Sequence, residues 1–304
     1  MASSTIPVDL RNPGQVFACL GLMEAAEILL EQPCEGGFDY RDLDIETTFT
    51  LRMEGADDPI AAVVRFLARA EVKALAPQGS KLSTAKWDIE TSAADAGDKH
   101  AFPCPVPDSP AALPILLSDG RHRILVDHWA DGPETGRDNV KFWAGAAGYP
   151  GAALARDALA TVGALGDNAI RDAIADPFNV SAPQSSSFRF DWRRDYVPLD
   201  AGFSPNVHGD VRMVGYPLVE MLAAIGLQNA RPHRPEPRDK LAYRYGVSNL
   251  RLPTVFVRVI LGAQPLWQHP FQRFPIRIFR MRLGWPGQEG QARCIIDAQE
   301  EFEP

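Results

Sequence analysis

The chain has 304 residues, 45% hydrophobic and 23% charged, with a formal net charge of −8. These values exclude disordered, collagenous and disulfide-stapled chains and leave either one large unit or two modest ones around a sizeable core. The four cysteines, Cys19, Cys34, Cys104 and Cys294, lack CxxC spacing, so neither a disulfide framework nor a zinc site is expected.

The predicted elements begin with a helix. Asn12 can cap it, Pro13 suits its first position, and Gln15 is placed to reach back. A broad apolar face runs from Val16 and Phe17 to Leu30 before Pro33 ends the run. Ile45 to Met53 alternates and is rich in Thr, which predicts a strand. Asp58-Pro59 opens a second helix through Ala70 by the same cap-then-proline logic. From Lys73 to Asp119, Pro, Asp, Ser and Ala predominate and irregular loops are expected.

Arg123 to Trp129 reads as a strand, Pro150 to Ala164 as a helix, and Ala169 to Ala175 as its extension after a break at Gly166. Ser187 to Trp192 is a strand candidate and Gly215 to Ile225 a helix. A Pro-rich basic linker, Arg231 to Arg238, precedes four predicted strands: Leu241–Val247, Thr254–Leu261, Ile276–Leu283 and Arg293–Gln299. In the third of these the apolar positions switch from even to odd numbers after Ile278, as at a β-bulge or local break. The fold class expected is α+β, with helices in the N-terminal half and centre and a mainly antiparallel sheet in the C-terminal part. One compact chain is expected, or two lobes: an acidic 1–110 and a nucleic-acid-contacting 111–304. The longest apolar run, Val214 to Leu227, is interrupted by Pro217 and Glu220, and there is no signal-peptide pattern. A cytoplasmic protein without a membrane partner is the expectation.

Charge is divided along the chain. Residues 1–60 hold twelve acids against Arg11, Arg41 and Arg52. Residues 240–293 hold nine bases against Glu289 alone. One face for a polyanion and another for a different partner would follow from this division. Alternatively, the arginines point in different directions and pair with acids from elsewhere.

Several segments have the composition of a nucleic-acid contact. Gln184 to Arg194 interleaves the hydroxyls of Ser185, Ser186 and Ser187 with three aromatics and three arginines; hydroxyls and guanidinium groups suit phosphate oxygens, and aromatics stack on bases. As a strand it would place Phe188, Phe190 and Trp192 on one face, and Arg189, Asp191 and Arg193 on the other. Asn139 and Lys141, followed by small residues, are types used for base edges and phosphates. The island Gln78 to Lys86 offers Lys81 and Lys86, and the Gly-rich loop 285–293 reads as a hairpin. GxxxxGK[ST], HExxH and GxSxG are absent from the sequence. No metal or cofactor is expected. His208 and Asp210 could ligate a metal only with help from elsewhere, and a hydrolase or nuclease built that way is an alternative.

Five segments carry a resemblance: NPGQVFACLG (12–21), DNVKFWAG (138–145), SAPQSSSFRFDWRRDY (181–196), PNVHGD (205–210) and LGWPGQEGQ (283–291). They resemble the compact large subunits of the RNA-guided Cascade complexes of type I-U (I-G) CRISPR systems. The resemblance runs along nearly the whole chain. It implies a non-catalytic role in antiviral defence: binding double-stranded target DNA at the protospacer-adjacent motif, aiding duplex opening, and presenting the displaced strand to a separate helicase–nuclease. The partners implied are other Cascade subunits and crRNA. Large subunits of other type I systems commonly end in a helical bundle, whereas this chain's end reads as strands; whether it includes the small-subunit functions stays open. A backbone or guide-RNA-holding subunit of the same complex is the alternative within this family. The residues expected to read the motif are Asn139, Lys141, Gln184 to Ser187 and Arg189. Lys81, Lys86, Arg193 and Arg194 are expected on the nucleic-acid backbone, with Arg280 and Arg282 as weaker members.

Overall fold

A computed structural model describes residues 2–40, 46–55, 57–74, 115–126, 151–184, 187–194, 213–239, 241–263, 275–284 and 294–301. Lys81, Lys86, Asn139, Lys141, Ser185, Ser186, His208 and Asp210 lie outside these residues, as does the loop 285–293. The described chain is α+β, with helices mostly N-terminal and central and antiparallel strands through the C-terminal part.

The first sixty residues also make strands. β1 (Ala2–Pro7), β2 (Cys34–Asp39) and β3 (Thr48–Met53) join the short β10 (Leu252–Pro253) in a sheet of order β1-β3-β2-β10. α1 (Pro13–Leu30) and α2 (Pro59–Leu67) start where the cap-then-proline pairs predict. Asn12 Oδ1 accepts from Gln15 N–H, and Asp58 accepts from the N–H groups of Ile60 and Ala61. Gln15 does reach back, but to the N–H of Asp9 at 2.7 Å rather than to that of the cap.

α1 is long and apolar enough, by length and composition alone, to cross a membrane, which the sequence reading did not anticipate. Fifteen of its eighteen residues are buried within the chain, so its apolar character is spent on the core. The largest neighbour is α5 (Pro217–Leu227), buried along its whole length. Two glycines let these helices approach closely. A Cβ on Gly21 would lie 1.9 Å from the Leu222 carbonyl oxygen, and one on Gly226 would lie 2.2 Å from that of Phe17. The core around this pair is one cluster reaching from Ile6 to Ala298.

β4 (Glu71–Ala74), β5 (Ile115–Ser118) and β6 (Arg123–Val126) form an antiparallel meander. α3 (Gly151–Gly163) and α4 (Asp167–Ala175) follow, separated at Gly166 as expected. After a 3₁₀ turn at Pro177–Asn179, β7 (Ala182–Gln184) pairs with β8 (Met213–Gly215). The last sheet has the order β12-β11-β9, from β9 (Ala242–Ser248), β11 (Ile276–Gly284) and β12 (Cys294–Glu301).

Two strand expectations are corrected. Thr254–Gly262 is a helix, α6. Its β-branched composition suits a strand, but its buried positions, Thr254, Val257, Ile260 and Leu261, recur at helical spacing. α6 is tied to α1, where Thr254 Oγ1 donates to Glu27 at 2.7 Å and Arg258 grips Glu24. Ser187 to Trp192 is not a strand either, for reasons given below. The irregularity expected in β11 does occur, but between Arg282 and Leu283, where Ile296 of β12 is left without a partner. The parity switch itself reflects two covered faces. Phe279, Met281 and Leu283 are buried, while half-buried Ile276 and Ile278 lie against Gly246.

Candidate nucleic-acid interface

The segment 187–194 is an irregular loop fastened from within. Arg189 has φ of 68°, a left-handed conformation that costs a non-glycine residue about 1 kcal/mol or more and breaks strand alternation at that point. Phe188 and Phe190 do share a side, both buried, with rings stacked at 5.4 Å. Trp192 departs from them. Asp191 turns inward, and Trp192 is left 43% exposed.

Asp191 turns inward because its partners are there. Its carboxylate accepts from Asn12 Nδ2 at 2.8 Å, from the N–H of Arg193 at 2.9 Å and from Arg193 Nη2 at 2.6 Å. Arg193 also donates to the Phe178 carbonyl at 2.6 Å and lies 3.7 Å over the Tyr216 ring. Of the three arginines here, Arg193 therefore braces the loop. Asn12 does two jobs, capping α1 and holding the loop, and the loop backbone presses on that cap: a Cβ on Gly14 would sit 2.8 Å from the Phe190 carbonyl. The start of α1 and the loop 187–194, far apart in sequence, are thus built into one another.

The floor of the loop is Glu220, the lone acid of the apolar helix α5. Its carboxylate accepts from the N–H of Phe190 at 3.1 Å and of Asp191 at 3.2 Å. Burial pushes its pKa up to about 7, against the pull of those two N–H groups, with repulsion from Asp191 adding to the rise and Arg194 opposing it. Arg194 is held down to about 10 by burial and then by repulsion from Arg189. Cys294 lies within reach of both arginines, and the start of its strand, β12, is tied to the loop where Ile295 N–H donates to the Arg189 carbonyl at 3.1 Å. Arg189, Arg194, Cys294 and Glu220 thus form one electrostatic neighbourhood. The hydroxyl of Ser187 at the start of the loop and the carboxamide of Gln184 at the end of β7 are buried and unpartnered among the described residues. Buried polar groups are nearly always paired, so this is spare hydrogen-bonding capacity.

The C-terminal arginines are used differently. Arg244 pairs with Glu301 at 2.5 Å, Arg277 with Glu300 at 2.5 Å through a two-pronged contact, and Arg251 with Asp39 at 3.4 Å. Arg258 pairs with Glu24. The charge division of the sequence is therefore closed up by folding, since Glu24 and Asp39 belong to the acidic front and their partners to the basic back. Arg280 is 3.9 Å from Asp239 and 4.0 Å from Glu301, while exposed Arg282 has no ion pair among the described residues. Both line a shallow surface depression with Asp297, Gln299, Glu300 and Glu301, a mixed rather than a basic surface.

The structure puts Ser187, Arg189, Arg193 and Arg194 on one loop, Gln184 at the end of β7, and Arg280 and Arg282 on the sheet. Sequence reasoning missed Asn12, Asp191 and Glu220 as its supports, and Trp192 as its exposed ring. A single acid inside an apolar helix was the available signal for Glu220. Among the described residues no three His, Cys, Asp or Glu side chains converge as metal ligands would. Comparison with protein-family models, with curated proteins and with solved structures finds no match to this chain.

Proposed function

We propose that this chain is a non-catalytic nucleic-acid-binding subunit of an RNA-guided surveillance complex, the large subunit of a type I-U CRISPR Cascade, which binds target DNA at the protospacer-adjacent motif and aids duplex opening. The observation that carries this reading is the loop 187–194. It joins two of the segments that bear the family resemblance, it is held rigid by Asn12, Glu220 and Asp191, and it brings Arg189 and Arg194 close enough to repel each other. Paired guanidinium groups on a stiff support suit phosphate oxygens or a base edge. Its partners are then the other Cascade subunits, crRNA, duplex DNA and the helicase–nuclease recruited after target binding.

The test is co-expression of the tagged chain with its neighbouring genes and a guide RNA, followed by native mass spectrometry of the purified assembly and duplex-binding measurements. One copy in a guide-containing complex that binds motif-bearing duplex is the expected result. A free monomer that binds no nucleic acid, alone or with those subunits, would overturn the reading.

A further inference from the structure

We infer that the exposed apolar strip where α6 meets the end of α1 is a docking surface for a partner protein, and that the partner lays a basic amphipathic helix on it. The inference goes beyond the proposed function and uses no part of the loop 187–194.

Five large hydrophobic side chains stay exposed among the described residues, and three of them, Ile28, Val255 and Phe256, belong to these two helices. In α6 the buried positions Thr254, Val257, Ile260 and Leu261 take one side. At about 100° per residue, Val255, half-buried Val259 and Phe256 follow one another round the other side. Val255 is 54% exposed and Phe256 47%. In α1, Glu24, Glu27, Ile28 and Glu31 recur at i, i+3, i+4 and i+7, so they share one side of the helix. Two of these four hold α6: Glu27 accepts from Thr254, and Glu24 pairs with Arg258. Val255 and Val259, the chain neighbours of Thr254 and Arg258, therefore border the seam from α6, and Ile28, 44% exposed, borders it from α1. Apolar side chains gathered in this way mark an interaction site, where single exposed ones do not.

The charge beside the strip selects the occupant. Arg258 grips buried Glu24 with two nitrogens and also feels the charge of Glu27. Glu31, exposed one turn further on, has no ion pair among the described residues. Three carboxylates on one side of α1 thus share one guanidinium group. The last turn of α1 carries no base, and its terminal carbonyls add the negative end of the helix dipole at the same place. A strip of aliphatic and aromatic side chains bordered by surplus negative charge is complementary to a helix whose apolar face is flanked by lysine or arginine. The same carboxylates repel a nucleic acid and an anionic lipid surface. A two-fold contact with a second copy of this chain would set the acids against their own images.

The experiment titrates the full chain with two labelled synthetic helical peptides and follows fluorescence anisotropy at low and high salt. Both peptides carry leucine at i, i+3, i+4 and i+7; the remaining positions are lysine in one and glutamate in the other. The parent chain is expected to bind the lysine peptide about tenfold or more tighter than the glutamate peptide, and less tightly as salt rises. The double variant Val255→Ser, Phe256→Ser should weaken the lysine peptide about tenfold or more, and Glu31→Lys about threefold. Ile296→Ser, which removes an exposed side chain from β12, should leave its affinity unchanged. Circular dichroism confirms that each variant folds. If the double variant binds the lysine peptide as tightly as the parent, or Ile296→Ser loses as much, the strip is not the site and the inference is overturned. It is overturned equally if the parent binds both peptides alike or binds neither. If sedimentation shows the parent chain dimerising through Phe256, a second copy is the occupant and the inference falls. None of these outcomes touches the duplex-binding test of the proposed function, so the two readings fail separately.

Discussion

The arginines of the C-terminal sheet and those of the loop 187–194 are the same residue put to opposite uses. On the sheet, Arg244 and Arg277 each face an acid across strands and end nearly neutralised. In the loop Arg193 is neutralised by Asp191, while Arg194 is held down to about 10 by burial first and then by repulsion from Arg189, with buried Glu220 opposing the fall. Arginine count along a sequence therefore does not measure the potential at a surface. What matters is whether the fold supplies a counter-charge at each guanidinium group.

The largest effect should come from breaking the loop at its anchor. Asp191→Ala strands the Arg193 guanidinium and the Asn12 amide, and about 3–5 kcal/mol of stability is expected to be lost, as when one partner of a buried pair is removed. Urea unfolding would measure it; a loss under 1 kcal/mol would mean the loop is not held this way. Next comes pH. Glu220 titrates near 7 when folded but near its ordinary value of 4.5 when unfolded. Between those values the folded state holds more protons. This stabilisation is complete below about pH 4.5 and is lost as pH rises through about 7, by at most about 3 kcal/mol. Glu220→Gln cannot ionise and should flatten the difference in melting temperature between pH 6 and pH 8 relative to the parent chain.

Affinity sharpens the contrast between the two regions. Under the proposed function Arg189→Ala weakens binding to motif-bearing duplex by about 1–3 kcal/mol, while Arg280→Ala on the sheet changes it by about 0.5 kcal/mol or less. Equal losses in a gel-shift series would erase the distinction. Arg277→Ala leaves Glu300 half-satisfied, and a stability loss of about 1–2 kcal/mol is expected with nucleic-acid affinity unchanged. The smallest effect belongs to the exposed pair Arg251–Asp39, where Arg251→Ala should cost about 0.5 kcal/mol or less in thermal unfolding.

Local signals were legible in the sequence and distant pairings were not. The caps at Asn12 and Asp58, each followed by proline, fixed two helix starts because a cap is a matter of three or four adjacent residues. The break at Gly166, most strand positions late in the chain and the α+β class follow from the same short-range chemistry. α6 was misread because Val255, Phe256, Val257, Val259 and Ile260 favour a strand by composition, while the helical spacing of its buried positions and its docking on Glu24 and Glu27 of α1 go with the helix. The loop 187–194 was misread because nothing within it explains why Asp191 should be buried. That needs Asn12, at a separation of 179 residues, and Glu220, at about thirty.

Taken by itself, then, the sequence determined where helices begin, which segments are apolar and which residue types are available for an anion. Tertiary structure decided which charges survive folding as an exposed potential, since an arginine's partner can come from anywhere in the chain. It also decided that Trp192, alternating with two buried phenylalanines in the sequence, faces water: a left-handed turn at Arg189 and an inward carboxylate at Asp191 are fixed by distant groups, and those contacts override the local pattern of the strand.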